Sequence, residues 1–311
     1  MIVKNPLDYL MDAKNGGYAI GAFNVNNMEI SQAILAAHAA KKAPLVLQLS
    51  NGARKYADTN MLVAIIRALE AQYPELPIII HQDHGDNLET CVSAIEAGFN
   101  SVMIDASHYD FNENVRITKE VVDFAHGKGV IVEAELGTLG GIEEHVQVDE
   151  KDARLTDPKE AVEFVKQTGC DTLACAIGTS HGAYKFAGSC NVDIPRVKAL
   201  TEVLPNTPLV MHGSSSVPQE YVEIINKYGG DLAGAKGVEE STIQEARKYG
   251  VAKVNIDTDL RLVMTAVIRK ILTENPKEFD PRKYLGPARD EIQKMVEHKI
   301  DVLGSAGKIR G

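Results

Sequence analysis

The sequence contains few cysteines and no excess of positive charge, and each of these features excludes a class of protein. Its four cysteines are Cys91, Cys170, Cys175 and Cys190, and none forms a Cys-x-x-Cys pair, so we expect free thiols in a reducing compartment. The 33 Lys and Arg residues against 43 Asp and Glu residues give a net charge of −10, which disfavours nucleic acid and anionic membranes as partners. An anionic substrate would be repelled at long range and would need a local cation.

Long apolar runs are also lacking. No stretch reaches the length of a membrane-spanning helix, and residues 1–6 have no signal-peptide core. We therefore expect a soluble, cytoplasmic protein. The hydrophobic fraction of 44% is nevertheless large enough for a sizeable core.

What the sequence does contain is a strand followed by a helix, repeated eight times. Three isoleucines at 78–80 predict a buried strand, and Leu62, Ile65, Ile66 and Leu69 form the apolar stripe of a helix. We predict strands at residues 18–25, 45–49, 78–81, 101–104, 130–135, 172–177, 209–212 and 252–256. Eight such units fit an α/β fold of the (β/α)8 TIM-barrel type, with extra N- and C-terminal helices.

No linker or break in composition divides the chain, so we expect one barrel domain over residues 1–311. A doubly wound open sheet is the alternative, but no Gly-x-Gly-x-x-Gly follows the first strand. Residues 157–160 read Asp-Pro-Lys-Glu, a typical helix start, and Ser216 with Gln219 resembles a capping box. The last helix is predicted at 287–303.

Three histidines, His84, His181 and His212, follow predicted strands, and each precedes a glycine. Barrel enzymes carry their chemistry at the carboxyl ends of the strands, where these three side chains would meet. Three neutral imidazoles with an open fourth position are typical of catalytic zinc. A lone histidine is more often a satisfied core residue, but three at one level favour a metal site.

Carboxylates accompany these histidines. Regular strand alternation points Asp83 away from His84, so both reach the site only if the strand bends at its tip, which Gly85 would permit. Asp83 is then either a general acid/base beside the metal or a group that orients a histidine. Further carboxylates that would orient a ligand or offer an alternative metal position are Asp105, Glu133 and Glu135. Helix caps or surface groups are the alternative interpretation for these three.

The tips of the last two predicted strands carry small residues and hydroxyls, and a helix is predicted after each. In barrels this region often binds phosphate through backbone N–H groups. The candidate residues are Gly213, Ser214, Ser215, Asn255, Asp257 and Thr258, with Lys185 and Arg261 close in sequence to supply charge. A run of capped helix starts is the alternative interpretation.

Residues 137–157 are long, acidic and glycine-bearing. We interpret this stretch as a mobile lid that carries Glu143 and Glu144. The alternative interpretation of this stretch is a disordered surface loop without a functional role.

These motifs resemble those of the class II, metal-dependent fructose-1,6-bisphosphate aldolases. The similarity covers almost the whole chain, and its length and the extra segment before the last strand are similar to the shorter, IIB-like branch. The motifs are GAFNVNN at 21–27, DHG at 83–85, VMIDASH at 102–108, EAELG at 133–137, GTSHG at 178–182, HGSS at 212–215, NIDTD at 255–259 and DPRKYL at 280–285.

The resemblance implies a reversible cleavage of fructose 1,6-bisphosphate to dihydroxyacetone phosphate and glyceraldehyde 3-phosphate, in glycolysis and gluconeogenesis. It implies that His84, His181 and His212 bind Zn2+, and that Asp83 exchanges a proton with the C4 hydroxyl. A lid glutamate would handle the C3 proton. Glu143 matches that role best, and Glu144 stays an alternative because Ile142 interrupts the acidic run of the longer branch.

The resemblance also implies the residues that hold the rest of the substrate. Those for the C1 phosphate are Gly182, Gly213, Ser215, Asp257 and Thr258, and those for the remainder of the sugar phosphate are Asn24, Ser50 and Arg261. Arg282 would reach a neighbouring subunit's site, which implies a homodimer or homotetramer. A sodium or potassium ion near Gly182 and Gly213 is a further expectation.

Four other functions remain as alternatives. The first is a tagatose-1,6-bisphosphate aldolase, whose substrate is the C4 epimer of fructose 1,6-bisphosphate. In the resemblance, the run at 257–259 favours the fructose substrate over this epimer. A Schiff-base aldolase needs a strand-borne lysine, and only Lys253 qualifies. A zinc hydrolase of the amidohydrolase kind would carry His-x-His on the first strand, where residues 21–24 read GAFN. A non-catalytic sugar-phosphate-binding barrel is the fourth.

Overall fold

The computed structural model describes residues 1–138, 140–143, 146–148, 153–181 and 192–310, and of these it describes 140–143, 146–148 and 181 by their backbone alone. The strands are β1 (Ile20–Asn24), β2 (Leu45–Ser50), β3 (Ile78–Gly85), β4 (Ser101–Ile104), β5 (Ile131–Leu136), β6 (Gly140–Glu143), β7 (Val146–Val148), β8 (Thr172–Cys175), β9 (Ser180–His181), β10 (Leu209–Met211) and β11 (Val251–Ile256). The helices are α1 (Pro6–Gly16), α2 (Met28–Lys41), α3 (Asn51–Ala57), α4 (Thr59–Gln72), α5 (Leu88–Glu96), α6 (Phe111–His126), α7 (Pro158–Thr168), α8 (Ile194–Val203), α9 (Gln219–Lys227), α10 (Glu240–Ala246), α11 (Thr258–Glu274) and α12 (Pro281–Leu303). None of the described helices combines the length and the apolarity needed to cross a membrane.

Eight parallel strands close into a barrel in the order β1-β2-β3-β4-β5-β8-β10-β11, and β11 pairs back onto β1. This confirms the (β/α)8 fold predicted from the repeat of strand and helix. Helix α1 precedes the first strand, and α12 follows the last barrel helix, so the extra terminal helices are present as well. Because the strands are parallel, their carboxyl ends meet at one rim.

The inside of the barrel changes from apolar to polar along the strands. Val46 and Ile79 belong to a buried apolar cluster that includes residues of α1. Two residues further along the same strands, on the same face, Gln48 and His81 are fully buried, and Asp83 follows on β3. Buried polar groups need partners, so the chain must supply them near this rim.

A second, three-stranded sheet is formed by β7, β6 and β9. β6 and β7 are antiparallel, while β6 runs parallel to β9, with Gly141 opposite His181. The stretch interpreted from sequence as a lid loop therefore contains two strands in its described part. They are only four and three residues long, too short for the alternation that predicts a strand from sequence.

The helix starts were predicted with mixed success. Asp157 caps α7 as predicted, because its carboxylate accepts hydrogen bonds from two backbone N–H groups of the first turn. The predicted start of the last helix, at residue 287, was wrong. Helix α12 begins at Pro281, and the Asp280 carboxylate accepts a hydrogen bond from the Arg282 N–H. Pro287 lies inside this helix, so proline was a poor marker of its first residue.

The capping box expected from Ser216 and Gln219 is absent in this described region. Helix α9 begins at Gln219 without a side-chain cap. Instead the buried Asp259 carboxylate accepts the N–H groups of Ser216 (3.1 Å) and Val217 (2.8 Å). These bonds hold Val217 at a φ of +52°, which is unusual for a β-branched residue.

His38 on α2 makes the fold sensitive to acid. Its ring is fully buried and packs edge-on against Phe23, and burial lowers its pKa to about 4 from an ordinary value of 6.5. The unfolded chain therefore takes up a proton first, and stability is lost as the pH falls from about 6.5 towards 4. We expect His38→Leu to remove this loss, on the order of 3 kcal/mol at the acid end.

Denaturant unfolding of both proteins between pH 7 and pH 4 measures the effect. His126→Gln, which changes an exposed histidine, should keep the acid sensitivity of the parent protein. Equal pH slopes for His38→Leu and the parent would show that His38 is not responsible.

Candidate metal and catalytic centre

The end of β3 bends at His84. Its φ of +45° is left-handed and costs a non-glycine residue about 1–2 kcal/mol, and the pairing of β3 with β4 shifts register between Gln82 and Gly85. The bend brings Asp83 Oδ1 to 3.9 Å from His84 Nε2, although regular alternation would separate these side chains. The expected bend is thus present, but at His84 rather than Gly85. Glycine is needed for another reason, because a Cβ at 85 would lie 2.5 Å from the Met103 carbonyl oxygen.

His84 and His212 face each other across the rim. The Nε2 atom of His84 lies 3.0 Å from Nδ1 of His212, and the two rings are nearly perpendicular, at 85°. With Asp83 they form a group whose nitrogen and oxygen atoms all lie within 4.8 Å of one another. Such convergence of three donor atoms is what a single divalent ion requires.

A carboxylate holds the far nitrogen of each ring. Asp105 Oδ2 lies 3.2 Å from His84 Nδ1, and Glu133 Oε1 lies 2.7 Å from His212 Nε2. A neutral imidazole has one N–H, so giving it to the carboxylate turns the lone pair of the other nitrogen towards the shared space. Burial lowers the pKa of His212, which favours the neutral ring that a metal needs. The described residues therefore fit a metal ion.

Burial disfavours the ionised form of the Asp105 and Glu133 carboxyl groups, but the groups that contact them outweigh this effect. Hydrogen bonds from His84 and Ser107 hold the pKa of Asp105 well below its usual value. The Lys253 ammonium and the His212 hydrogen bond do the same for the pKa of Glu133. Both groups are therefore anionic at neutral pH, so the site has negative charge to balance a cation.

Beneath the rim lies a buried ion pair that sequence reasoning did not assign. Lys253 Nζ is 3.0 Å from Glu133 Oε2 and 3.4 Å from His81 Nε2, and both side chains of the ion pair are only 2% exposed. His81 in turn bonds to Ser101 Oγ at 2.7 Å. An ion-paired ammonium is not a nucleophile, so this arrangement disfavours Lys253 as a Schiff-base lysine.

Three side-chain amides surround the Asp83 carboxylate. Asn24 donates to Oδ2 at 2.7 Å, Gln48 donates to the same oxygen at 3.3 Å, and Asn255 donates to Oδ1 at 3.3 Å. Gln48 also donates to Asn24 Oδ1 at 2.6 Å, which fixes the orientation of that amide. Sequence reasoning missed Gln48, although a polar residue at an inward position of β2, two residues before Ser50, was a usable signal.

A second group of potential ligands shares His84 with the first. It consists of His84, Asp105 and Glu135, again with donor atoms within 4.8 Å of one another. Because the two groups share His84, they offer alternative positions for one ion. The structure thus places Asp105, Glu133 and Glu135 beside His84 and His212.

The tips of β10 and β11 lie together. Gly213 has a φ of +60°, and a Cβ there would lie 2.6 Å from the Ser180 carbonyl oxygen, so only glycine fits. Ser215 Oγ accepts the Asp257 N–H at 3.4 Å, whereas the Ser214 hydroxyl turns back to the backbone carbonyls of 211 and 212. Thr258 begins α11, and Arg261 one turn later pairs with Asp257 at 2.6 Å.

Ser50 and Arg282 occupy different surroundings. Ser50 lies opposite Asp83 in the β2–β3 register, and its hydroxyl caps α3 by accepting the Ala53 N–H. Arg282 lies at the start of α12, where its exposed guanidinium bonds to Asp280. The structure therefore places Ser50 at the rim with Asp83, while Arg282 points into solvent.

The remaining predicted residues are described only in part. Gly182, Lys185 and Glu144 lie outside the described residues. Glu143 ends β6, and only its backbone is described. His181 does not follow β8 directly, as the sequence suggested, but lies six residues beyond its end in β9.

A parallel barrel with imidazoles and carboxylates converging at its strand ends defines an α/β-barrel enzyme of the metal-dependent kind. The family model described as class-II fructose-bisphosphate aldolase matches residues 4–308, and the chain belongs to this family. It is accordingly an aldolase, a lyase that breaks and forms carbon–carbon bonds.

Similar proteins support this assignment. The fructose-bisphosphate aldolase of Thermus caldophilus is 52% identical, over 97% of this chain and 98% of that protein. The fructose-bisphosphate aldolase of Giardia intestinalis is 54% identical, over 96% of this chain and 92% of that protein. Among solved structures, the YdjI aldolase from Escherichia coli K12 covers 100% of both chains with a TM-score of 0.80 and 31% identity.

Proposed function

We propose that this aldolase cleaves fructose 1,6-bisphosphate reversibly to dihydroxyacetone phosphate and glyceraldehyde 3-phosphate, as a cytoplasmic enzyme of glycolysis and gluconeogenesis. The observation that carries the proposal is the Asp83 carboxylate, held by amides beside two converging imidazole nitrogens. The names of the relatives from Thermus caldophilus and Giardia intestinalis support the substrate. Residues 1–311 would form one domain.

The proposed metal is Zn2+, with His84, His181 and His212 as ligands. Neutral imidazoles in a partly buried site suit zinc. Bound zinc would act as a Lewis acid on the ketone carbonyl of the substrate. Asp105 and Glu133 would keep the two described rings in position, and Asp105 with Glu135 would offer the ion a second position.

The proposed proton transfers involve two carboxyl groups. Asp83 would accept the C4 hydroxyl proton as the C3–C4 bond breaks, and it would return that proton in the synthetic direction. Its amide neighbours Asn24, Gln48 and Asn255 would fix its orientation. Glu143 on β6, with Glu144 as the alternative, would handle the C3 proton of dihydroxyacetone phosphate.

The substrate phosphates would bind along the rim beside α11. The N-terminus of this helix and the Arg261 guanidinium provide positive potential against the net negative charge of the chain. The residues proposed for phosphate and sugar binding are Asn24, Ser50, Gly182, Lys185, Gly213, Ser214, Ser215, Asn255, Asp257, Thr258 and Arg261. A Na+ or K+ ion near Gly182 and Gly213 would complete this site.

A homodimer or homotetramer is proposed as the working form. The Arg282 side chain is 87% exposed at the start of α12, a position from which it would reach the site of a neighbouring subunit. No nucleic acid or membrane partner is proposed.

Removal of metal tests the proposal. We expect dialysis against a chelator to abolish cleavage, because the ketone carbonyl of the substrate then has no Lewis acid to polarise it. Added Zn2+ should restore cleavage. Assays with fructose and tagatose 1,6-bisphosphates, each with and without zinc, measure the effect and the preferred epimer. Activity that survives complete metal removal would overturn the mechanism, and borohydride trapping of a lysine–substrate adduct would then identify the Schiff-base route.

A further inference from the structure

The outer face of the β3 tip is as polar as its inner face, and the proposed function does not account for it. Gln82 points towards α3, away from the site, and is fully buried. Its Nε2 atom donates to the Asp83 carbonyl oxygen at 2.8 Å and to Asn51 Oδ1 at 3.1 Å. Burying an amide costs free energy unless its polar atoms are hydrogen-bonded. A buried amide whose bonds are all satisfied makes the groups it contacts, here the strand tip, more rigid.

Asn51 holds the next carbonyl. Its Nδ2 atom donates to the His84 carbonyl oxygen at 3.4 Å and to Asp86 Oδ1 at 3.3 Å. The carbonyl groups of Asp83 and His84 flank the left-handed turn at His84. Both are therefore held from outside the barrel, one by Gln82 and one by Asn51.

Arg54 anchors this pair of amides to the rest of the fold. Its Nη1 donates to Gln82 Oε1 at 2.5 Å, Nη2 donates to Ser93 Oγ at 2.8 Å, and Nε donates to Thr59 Oγ1 at 3.0 Å. The guanidinium also stacks 5.7 Å from the centre of the Phe99 ring. Because its planar fork is fixed on several sides, Arg54 gives Gln82 one orientation.

We infer that Asn51, Arg54 and Gln82 form an outer clamp that positions the catalytic strand tip. A non-glycine residue keeps a left-handed backbone only where its surroundings impose it. The outer clamp imposes it here, and so keeps Asp83 and His84 facing the same site. None of the three is among the residues proposed to bind metal or substrate or to transfer protons, so they are positioning residues, and this inference rests on the proposed function of Asp83 and His84.

The outer clamp also connects two parts of the site. Its Asn51 and Arg54 lie on α3, which begins directly after Ser50 and is capped by it. Ser50 is a proposed sugar-phosphate residue, and it pairs in register with Asp83. The spacing between the substrate-binding and proton-transferring residues is therefore set by the same helix.

The test compares Gln82→Met and Arg54→Met with the parent enzyme. Gln82→Met removes the hydrogen bonds to Asp83 and Asn51 while keeping the volume. We expect the zinc affinity of the apo-protein, measured by competition with a chelating dye, to fall about 10- to 100-fold. The visible spectrum of the Co2+-substituted protein should change, and kcat should fall by a similar factor with KM altered less than threefold.

Lys55→Met is the matched control, because Lys55 is an exposed cation on the same helix. It should keep parent values for zinc affinity, spectrum and kcat. If Gln82→Met does not fold, Asn51→Ala replaces it, since Asn51 is only partly buried. A clamp variant that loses thermal stability alone, with zinc affinity and spectrum unchanged, would overturn the inference. A parent protein that binds no zinc would overturn the proposed metal site instead.

Discussion

Replacing Asp83 with alanine is expected to lower kcat by about 10²- to 10⁴-fold, the range that a well-placed general acid/base supplies. Binding of the sugar bisphosphate should persist within a few-fold, because the proposed phosphate residues are untouched. The reason is geometric: Asp83 Oδ1 lies 3.9 Å from His84 Nε2, beside the proposed metal, and no neighbouring amide can accept the proton in its place. Steady-state kinetics and calorimetric binding measure the two effects separately.

Asp123→Ala is a suitable control for this experiment. Asp123 is exposed on α6 and pairs with Lys119, so its removal should change neither quantity. Turnover within tenfold of the parent after Asp83→Ala would contradict the proton-transfer role. A simultaneous loss of zinc would instead assign Asp83 to the metal, with which it also groups.

Replacing Lys253 with methionine is expected to destabilise the protein by about 3–5 kcal/mol. Lys253 and Glu133 form an ion pair at 3.0 Å that is almost completely buried inside the barrel. Removing the cation leaves the Glu133 carboxylate desolvated, with its hydrogen bond from His212 as the main compensation. Denaturant unfolding of the apo-protein measures the change in the free energy of unfolding.

The double variant Lys253→Met/Glu133→Gln isolates the interaction. A neutral amide can still accept the His212 N–H, so we expect it to recover most of the lost stability. Lys128→Met, an exposed lysine after α6, should cost less than 0.5 kcal/mol by comparison, roughly the limit for surface changes. A Lys253→Met protein as stable as this control would show that Glu133 is compensated from elsewhere.

The barrel was predictable because its strands bury both faces. Runs such as 78–80 and 45–47 are apolar without interruption, and amphipathic helices follow them at regular intervals. This pattern fits few folds other than a parallel barrel. Histidines at the ends of two such strands, His84 and His212, then had to lie at the same rim, and the structure places their nitrogens 3.0 Å apart.

What the sequence did not predict depends on contacts between distant residues. The left-handed backbone of His84 is set by register and by side chains on a neighbouring helix, and no local pattern encodes it. Glu133 and Lys253 are separated by 120 positions, and their meeting inside the barrel follows only from the closure of the sheet. The strands β6, β7 and β9 are too short to have a period of their own, and their pairing comes from tertiary structure.

The small sheet makes one mechanical unit of pieces that the chain keeps far apart. Gly141 is paired with His181, and the backbone of Ser180 lies directly against Gly213. Any side chain introduced at 213 would displace Ser180, and β9 would transmit this displacement to its partner strand β6, which ends in Glu143. The backbone at Gly213 thus determines the alignment of β9 and β6. Mutations at this position should therefore disturb several steps of the reaction together.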